Sequence, residues 1–423
     1  MPSRRAFLLT FLLSATAFPQ TLARPGWVGS GMSSSPWWKH AVIYHANPSG
    51  FNDIQGMIQR LDYIHSLGAD ALLLTPLLPD PTQPPSIAAV DEVDDLIHQA
   101  SRNNIRVLLE LDPHTTDPTA AARFWLNRGI AGFHITSTNT TTSQIADLRK
   151  LISSYVGQRI LITDATPTLD SQPKPASTHE TPQLLLNPTL ATSTQLNTAT
   201  FRTTIDATQD TLQSSRNMPV LLTDGPAYPR SFTRFADGKH DLEIAKILAT
   251  ILLTTRSAAL IYYGQELGLP ADSDPATAIH WDAPPAPAKG KTAPPPDPAN
   301  PNVALQDADP QSLLNWYRQL SALHHSNPTI NAGANITLNH DDQNVLTWVR
   351  KPQAVTPISP AIVIICNLSA QPAQLSLKAD MQRLHLKGSF LRAIVRSDNA
   401  TGPMHLESMT IPPYGVYIGE LRY

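Results

Sequence analysis

Residues 124–137 read Phe-Trp-Leu-Asn-Arg-Gly-Ile-Ala-Gly-Phe-His-Ile-Thr-Ser. Phe124-Trp125-Leu126 ends a short helix, and Arg128-Gly129 closes it, because glycine enters the left-handed conformation without steric cost. Gly132-Phe133-His134-Ile135-Thr136 then runs as a buried strand. A short apolar run after a helix-stopping glycine suits a parallel sheet covered on both faces.

The same unit recurs on either side. Upstream, Ala41–Tyr44 reads as a first strand. Met57, Ile58, Leu61, Ile64 and Leu67 fall at helical spacing until Gly68 stops them. Ala71–Leu74 is a second strand, Asp94–Asn103 is helical, and Arg106–Leu111 is a third strand. Downstream, strands are expected at Ile160–Thr163, Gln183–Leu186, Pro219–Leu222 and Ala259–Tyr262, with amphipathic helices between them through Leu323. Asp309-Pro310 reads as the N-cap and first residue of a helix over Gln311–Ser326. This alternation predicts an α/β protein, a (β/α)8 TIM barrel over residues 41–330. Near Asn331 the pattern changes to strands alone, at Val345–Val349, Ala361–Cys366, Ala373–Leu377 and Val416–Leu421. A C-terminal antiparallel β-sandwich over 331–423 is the expectation.

Composition bounds the partners. The chain has 423 residues, enough for a barrel of about 250 residues and a further domain. The net charge of −3 argues against a nucleic-acid partner. Cys366 is the sole cysteine, so no internal disulfide forms, and no Cys/His spacing selects zinc. No metal and no cofactor is expected. Thirty-nine prolines against 19 glycines point to ordered loops, above all residues 283–301.

Residues 1–23 read as an export signal. Arg4-Arg5-Ala6-Phe7-Leu8 looks like a twin-arginine motif, followed by an apolar run to about Ala17 that is too short to span a bilayer. Residues 24–40 are a linker. A periplasmic or secreted bacterial protein with no membrane span in its mature chain is expected.

Several blocks carry a resemblance. Trp37-Trp38-Lys39-His40-Ala41-Val42-Ile43-Tyr44, Pro229-Arg230-Ser231-Phe232-Thr233-Arg234-Phe235, Tyr262-Tyr263-Gly264-Gln265-Glu266-Leu267-Gly268, His280-Trp281-Asp282 and Pro412-Pro413-Tyr414-Gly415 all resemble signatures of the α-amylase family, glycoside hydrolase family 13. The resemblance covers almost all of residues 37–423. It implies a retaining α-glycosidase site built from a nucleophile, a general acid and a third carboxylate, with an arginine beside the nucleophile.

Position by position, that site is altered. The fourth strand of the family reads Gly-Phe-Arg-Leu-Asp, which puts Thr136 at the nucleophile position and His134 at that of the arginine. A threonine hydroxyl is a poor substitute for a carboxylate facing an oxocarbenium-like centre. His134 is shorter than arginine and is expected to be only partly charged near neutral pH. Asp164 takes the general-acid position, one methylene shorter than glutamate. The Pro229–Phe235 register puts Ala227 at the third-carboxylate position, with Tyr228 beside it. On the third strand His114 survives from the family motif and Glu110 replaces its aspartate. His114, His134 and Tyr228 are the candidate substrate-binding residues, and Trp125 and Trp281 are further aromatic candidates. The loops after the first three strands are also shortened.

Two function classes follow. The first is a catalytically impaired member acting by binding an α-glucan, another oligosaccharide or a protein partner. The second is an active α-glucan or α-glucoside hydrolase or transglycosylase with a non-standard site.

Overall fold

The computed structural model of the protein describes residues 36–75, 86–111, 117–136, 140–164, 181–214, 217–270, 278–282, 301–398 and 400–423. The leader 1–23, Asp112, His114 and positions 283–300 of the Pro-rich loop lie outside the described residues.

Eight parallel strands close into a barrel. They are β1 (Val42–Ala46), β2 (Ala71–Leu74), β3 (Arg106–Leu111), β4 (Gly132–Ile135), β5 (Ile160–Asp164), β6 (Leu184–Asn187), β7 (Met218–Leu222) and β8 (Ala258–Tyr262). Each pairs with the next in sequence, and β1 closes the ring on β8 through Ile43 opposite Leu260. Side chains alternate in and out along each strand. One parity set, including Ile43, Leu73, Leu108, Ile162, Leu186, Val220 and Leu260, fills the barrel interior. The other, including Leu72, Leu109, Phe133, Leu161, Leu221 and Ile261, packs outward against Leu96, Leu126, Leu148 and Ile247 of the surrounding helices.

The decisive stretch forms as its residues dictate. Helix Pro118–Arg128 starts on Asp117, whose carboxylate accepts from the Ala120 N–H at 2.9 Å, and ends on Gly129 at φ 108°. β4 follows after two residues.

Two helix expectations are corrected. The first helix breaks at Arg60 into Ile54–Gln59 and Leu61–Ser66. Arg60 leaves the helical region and lays its guanidinium over the Trp281 ring at 4.5 Å. The helix expected from Gln311 starts instead at Leu313, capped by Ser312 and not Asp309. A separate turn of helix, Val303–Ala308, precedes it, and the Gln306 side chain takes the Leu314 N–H at 3.1 Å.

The C-terminal region holds β9 (Ala334–Leu338), β10 (Val345–Lys351), β11 (Ile362–Asn367), β12 (Ala373–Leu375), β13 (Phe390–Arg396), β14 (Met404–His405), β15 (Met409–Ile411) and β16 (Val416–Arg422). Six form one antiparallel sheet in the order β14-β13-β16-β11-β10-β9, and β12 pairs with β15 as a small second layer. Leu375, Met409 and Ile411 of that layer pack on Val363, Ile365, Leu391 and Tyr417.

Arg350 joins this sheet to the barrel. Fully buried, it donates to the Thr254 carbonyl at 2.5 Å and to the Gly333 carbonyl at 2.8 Å. Thr254 ends helix Asp241–Thr254, where unsatisfied carbonyls favour a cation. Burial, with Arg256 acting the same way, pushes the Arg350 guanidinium down to about 9.

The turn after β8 is a second fixed point. Gly264 (φ 78°) and Gly268 (φ 74°) bracket it, and a Cβ on Gly264 would meet Leu269 at 2.0 Å. Between them Glu266 accepts from the hydroxyls of Tyr44 at 2.8 Å and Tyr63 at 2.7 Å. Gln265 donates to Thr223 at 2.6 Å and to the Tyr317 hydroxyl at 2.8 Å.

Replacing Arg350 with leucine is expected to cost about 2–4 kcal/mol, because two buried carbonyls lose their donor. Chemical denaturation of the variant measures it; a change below about 0.5 kcal/mol would mean that the contact carries no stability.

Candidate functional site

Barrel parity builds the site. Two residues above the inward Ile43, Leu108, Gly132, Ile162 and Leu260 stand His45, Glu110, His134, Asp164 and Tyr262, at the C-terminal ends of their strands. A polar layer therefore caps an apolar barrel core, at the end where barrel enzymes carry their chemistry.

His134 is its centre. It lies opposite Glu110 in the β3–β4 register and is buried, with 6% of its surface exposed. Its Nδ1 is 3.0 Å from Glu110 Oε1 and its Nε2 is 3.3 Å from Asp164 Oδ1. Burial opposes charge on the imidazole, but the hydrogen bonds and charges of Asp164 and Glu110 outweigh it and raise the group to about 9. Both ring nitrogens then donate. Burial likewise works against ionisation of Glu110, yet the His134 and His45 rings hold its carboxyl well below the usual carboxylate range. His45 Nε2 stands 3.7 Å from Glu110 Oε2, an electrostatic contact too long for a hydrogen bond, and its ring meets Tyr262 edge-on at 5.5 Å.

The expectation that His134 is only partly charged is thus corrected. Two carboxylates flank the ring, so position 134 keeps a cation although it is not arginine. Among the described residues no group of three or more His, Cys, Asp or Glu side chains is arranged to hold a metal ion.

Thr136 follows β4, two residues beyond His134, and is partly exposed; its carbonyl accepts from the Thr140 hydroxyl at 2.9 Å. Ala227 is exposed in the Gly225–Tyr228 turn, where the Tyr228 N–H donates to the Gly225 carbonyl at 3.0 Å. Tyr228 packs on the barrel interior cluster. Burial and the nearby Asp164 charge hold its hydroxyl above the ordinary value. The structure thus brings His134, Asp164 and Tyr228 into one neighbourhood. Asp224 is buried behind it and accepts from the Ser231 N–H at 2.6 Å.

Two aromatic candidates stand elsewhere. Trp125 is buried in the barrel wall. Trp281 is enclosed by Phe51 at 5.5 Å, the edge of Tyr63 at 5.0 Å and the Arg60 guanidinium. Sequence reasoning missed His45, Tyr262 and the Tyr44–Glu266–Tyr63 bridge. Parity was the available signal for the first two, since each lies two residues beyond an inward apolar position.

The electrostatics set a pH dependence. The raised His134 contributes stability that is complete below its ordinary value of 6.5 and is lost as pH rises through about 9. The depressed Glu110 contributes stability that is present above its ordinary value of 4.5 and is lost as pH falls further. Between pH 6.5 and 10 the wild type is expected to lose roughly 1–3 kcal/mol through His134, so His134→Gln should lose less over that window, keeping only the contribution of other raised groups such as His325. Denaturation midpoints across pH measure this; equal slopes for both proteins would remove His134 from the account.

No family model matches the chain. Amino acid transporter heavy chain SLC3A2 from Oryctolagus cuniculus is 24% identical over 368 residues, covering 73% of this chain and 65% of that protein. Trehalose-6-phosphate hydrolase from Escherichia coli K12 is 34% identical over 113 residues, 22% of this chain and 20% of that one. The chain therefore spans less than two thirds of either relative's length. Among solved structures, isomaltulose synthase from Erwinia rhapontici NX5 superposes with a TM-score of 0.75 at 17% identity, over 93% of this chain and 100% of that one. The closed barrel and its C-terminal antiparallel sheet are thus a fold shared with the isomaltulose synthase structure, and the strand-end signatures resemble those of the α-amylase family, glycoside hydrolase family 13.

Proposed function

We propose that the chain is an exported, non-hydrolytic member of the α-amylase family that acts by binding. One observation carries this reading: the His134 ring fills the space between the only two carboxylates that the described rim brings together. A retaining mechanism needs two carboxyl groups facing the anomeric carbon from about 5 Å apart, and an inverting one needs room between them for water. Here an imidazolium occupies that room and engages both acids. Thr136 and Ala227 add no carboxylate where the family has its nucleophile and its third acid.

Two kinds of ligand are supported. The trehalose-6-phosphate hydrolase and isomaltulose synthase likenesses favour a saccharide. The transporter heavy chain aligns over 73% of this chain and favours a protein partner. The Arg4-Arg5 leader favours action in the periplasm or outside the cell.

Incubation with maltooligosaccharides and aryl α-glucosides tests the reading, with no turnover expected. Rates of about 1–10³ per second would overturn it. Thr136→Asp, Asp164→Glu and Ala227→Asp combined should also stay inactive, because His134 still bridges the acids; the same triple with His134→Arg is its control. Robust turnover by the triple alone would mean that the imidazole does not obstruct the site. Calorimetry should find maltooligosaccharide binding no tighter than about millimolar, near −4 kcal/mol. Micromolar affinity would point to a built sugar site.

A further inference from the structure

The opposite end of the barrel carries a different chemistry. In a βα barrel the strands start, and the helices end, on this N-terminal face. Lys39 precedes β1, Arg159 precedes β5 and Arg256 precedes β8. Arg149 and Lys150 lie in the last turns of helix Thr142–Ser153. Arg149 Nε and Arg159 Nη1 donate at 3.0 Å to the carbonyls of Thr181 and Gly129. None of these five residues makes an ion pair with a carboxylate among the described residues. Of the acids near this face, Asp70 pairs with His325 at 3.0 Å and Glu420 with Arg422 at 2.6 Å, while Asp62 and Asp210 lie in the helices Leu61–Ser66 and Thr198–Ser214.

Two apolar spikes rise from the same face. Ile358 is 94% exposed and Val156 is 88% exposed, the most exposed large hydrophobic side chains among the described residues. Val156 sits in the loop before β5, beside Gly157 at φ 96° with open space around it. Ile358 tips the hairpin between β10 and β11. β10 runs toward the N-terminal face, because Lys351 pairs with Ala334 beside Asn335, whose side chain takes the Arg256 N–H at 3.2 Å. Arg422 fixes the hairpin by donating to the Pro357 carbonyl at 2.8 Å. Trp37 and Trp38 lie partly exposed nearby, with Arg106 over the Trp37 ring at 4.3 Å.

We propose that this face docks on a bilayer with anionic headgroups, Val156 and Ile358 entering the headgroup–acyl boundary and the basic residues meeting the phosphates. Basic residues at helix C-termini also complement the helix dipole. That accounts for Lys150 but not for isoleucine and valine left in water on separate loops. An acidic protein is the other occupant, but a protein interface has a contiguous apolar core. Two isolated spikes with interfacial tryptophans in a basic field fit a fluid, planar surface. The reading is independent of what the rim binds, and no helix among the described residues is long and apolar enough to cross a membrane.

The full chain is mixed with vesicles of phosphatidylcholine alone, or with about one-third phosphatidylglycerol, and sedimented at low and high salt. The wild type should bind the anionic vesicles and release in salt. Val156→Asp with Ile358→Asp should weaken binding at least about tenfold, and Lys150→Gln about fivefold. Circular dichroism melts show that the variants fold. Equal binding to both vesicle types, or equal binding by wild type and the apolar double variant, overturns the proposal, since the leader or diffuse charge would then suffice. Retention of all variants alike on immobilised polyglutamate, with no vesicle binding, overturns it in favour of an acidic protein.

Discussion

A closed parallel barrel leaves each strand one parity for its interior, and everything at the rim follows from that constraint. Ile43, Leu73, Leu108, Ile162 and Leu260 must fill the lumen, so the next inward residues stand above them at the strand ends. On β1, β3, β4, β5 and β8 those are His45, Glu110, His134, Asp164 and Tyr262. A shift of one residue in any strand would bury the polar group against a helix and turn an apolar one into the lumen. The register that makes the core therefore also makes the site.

The molecule buries charge in two ways. At the rim, the His134 cation is compensated by Glu110 and Asp164, so a histidine nearly out of water stays protonated. Beneath the β8 turn Glu266 makes no ion pair among the described residues; burial raises its carboxyl against the opposing pull of two tyrosine hydroxyls and the Arg230 charge. Family resemblance alone would treat His134 as a simple substitution and Glu266 as an ordinary match. Their environments set the protonation state each presents.

Most of the fold was legible in the sequence because buried parallel strands read as unbroken apolar runs. Ala71–Leu74 and Arg106–Leu111 appear with the bounds expected of them, and the strand from Gly132 ends at Ile135, one residue before Thr136. β13 was not legible: a bulge between Ala393 and Val395 breaks its alternation, so its burial follows no period of two. Ser312 was hidden because Asp309-Pro310 offers an equally good local start, and tertiary bonds from Gln306 decide between them. At the site, the positions of Thr136, Asp164 and His134 could be read from the strand pattern and the family motif. The charge on His134 could not, because it depends on residues 24 before and 30 after it in the chain.

The order of strands in the C-terminal sheet has a consequence for synthesis. β16, which follows the other strands of the sheet in the chain, lies between β13 and β11 in the middle of the sheet. Until residues 416–422 emerge, both neighbours present open edges, and such edges invite pairing with other chains. Arg350 in the same sheet closes the end of a barrel helix, so the sheet's own assembly is tied to the barrel. A chain that lacks residues 416–422 thus carries a visible mark of incompleteness, and proteases and chaperones that read exposed strand edges can sort it from one that has them.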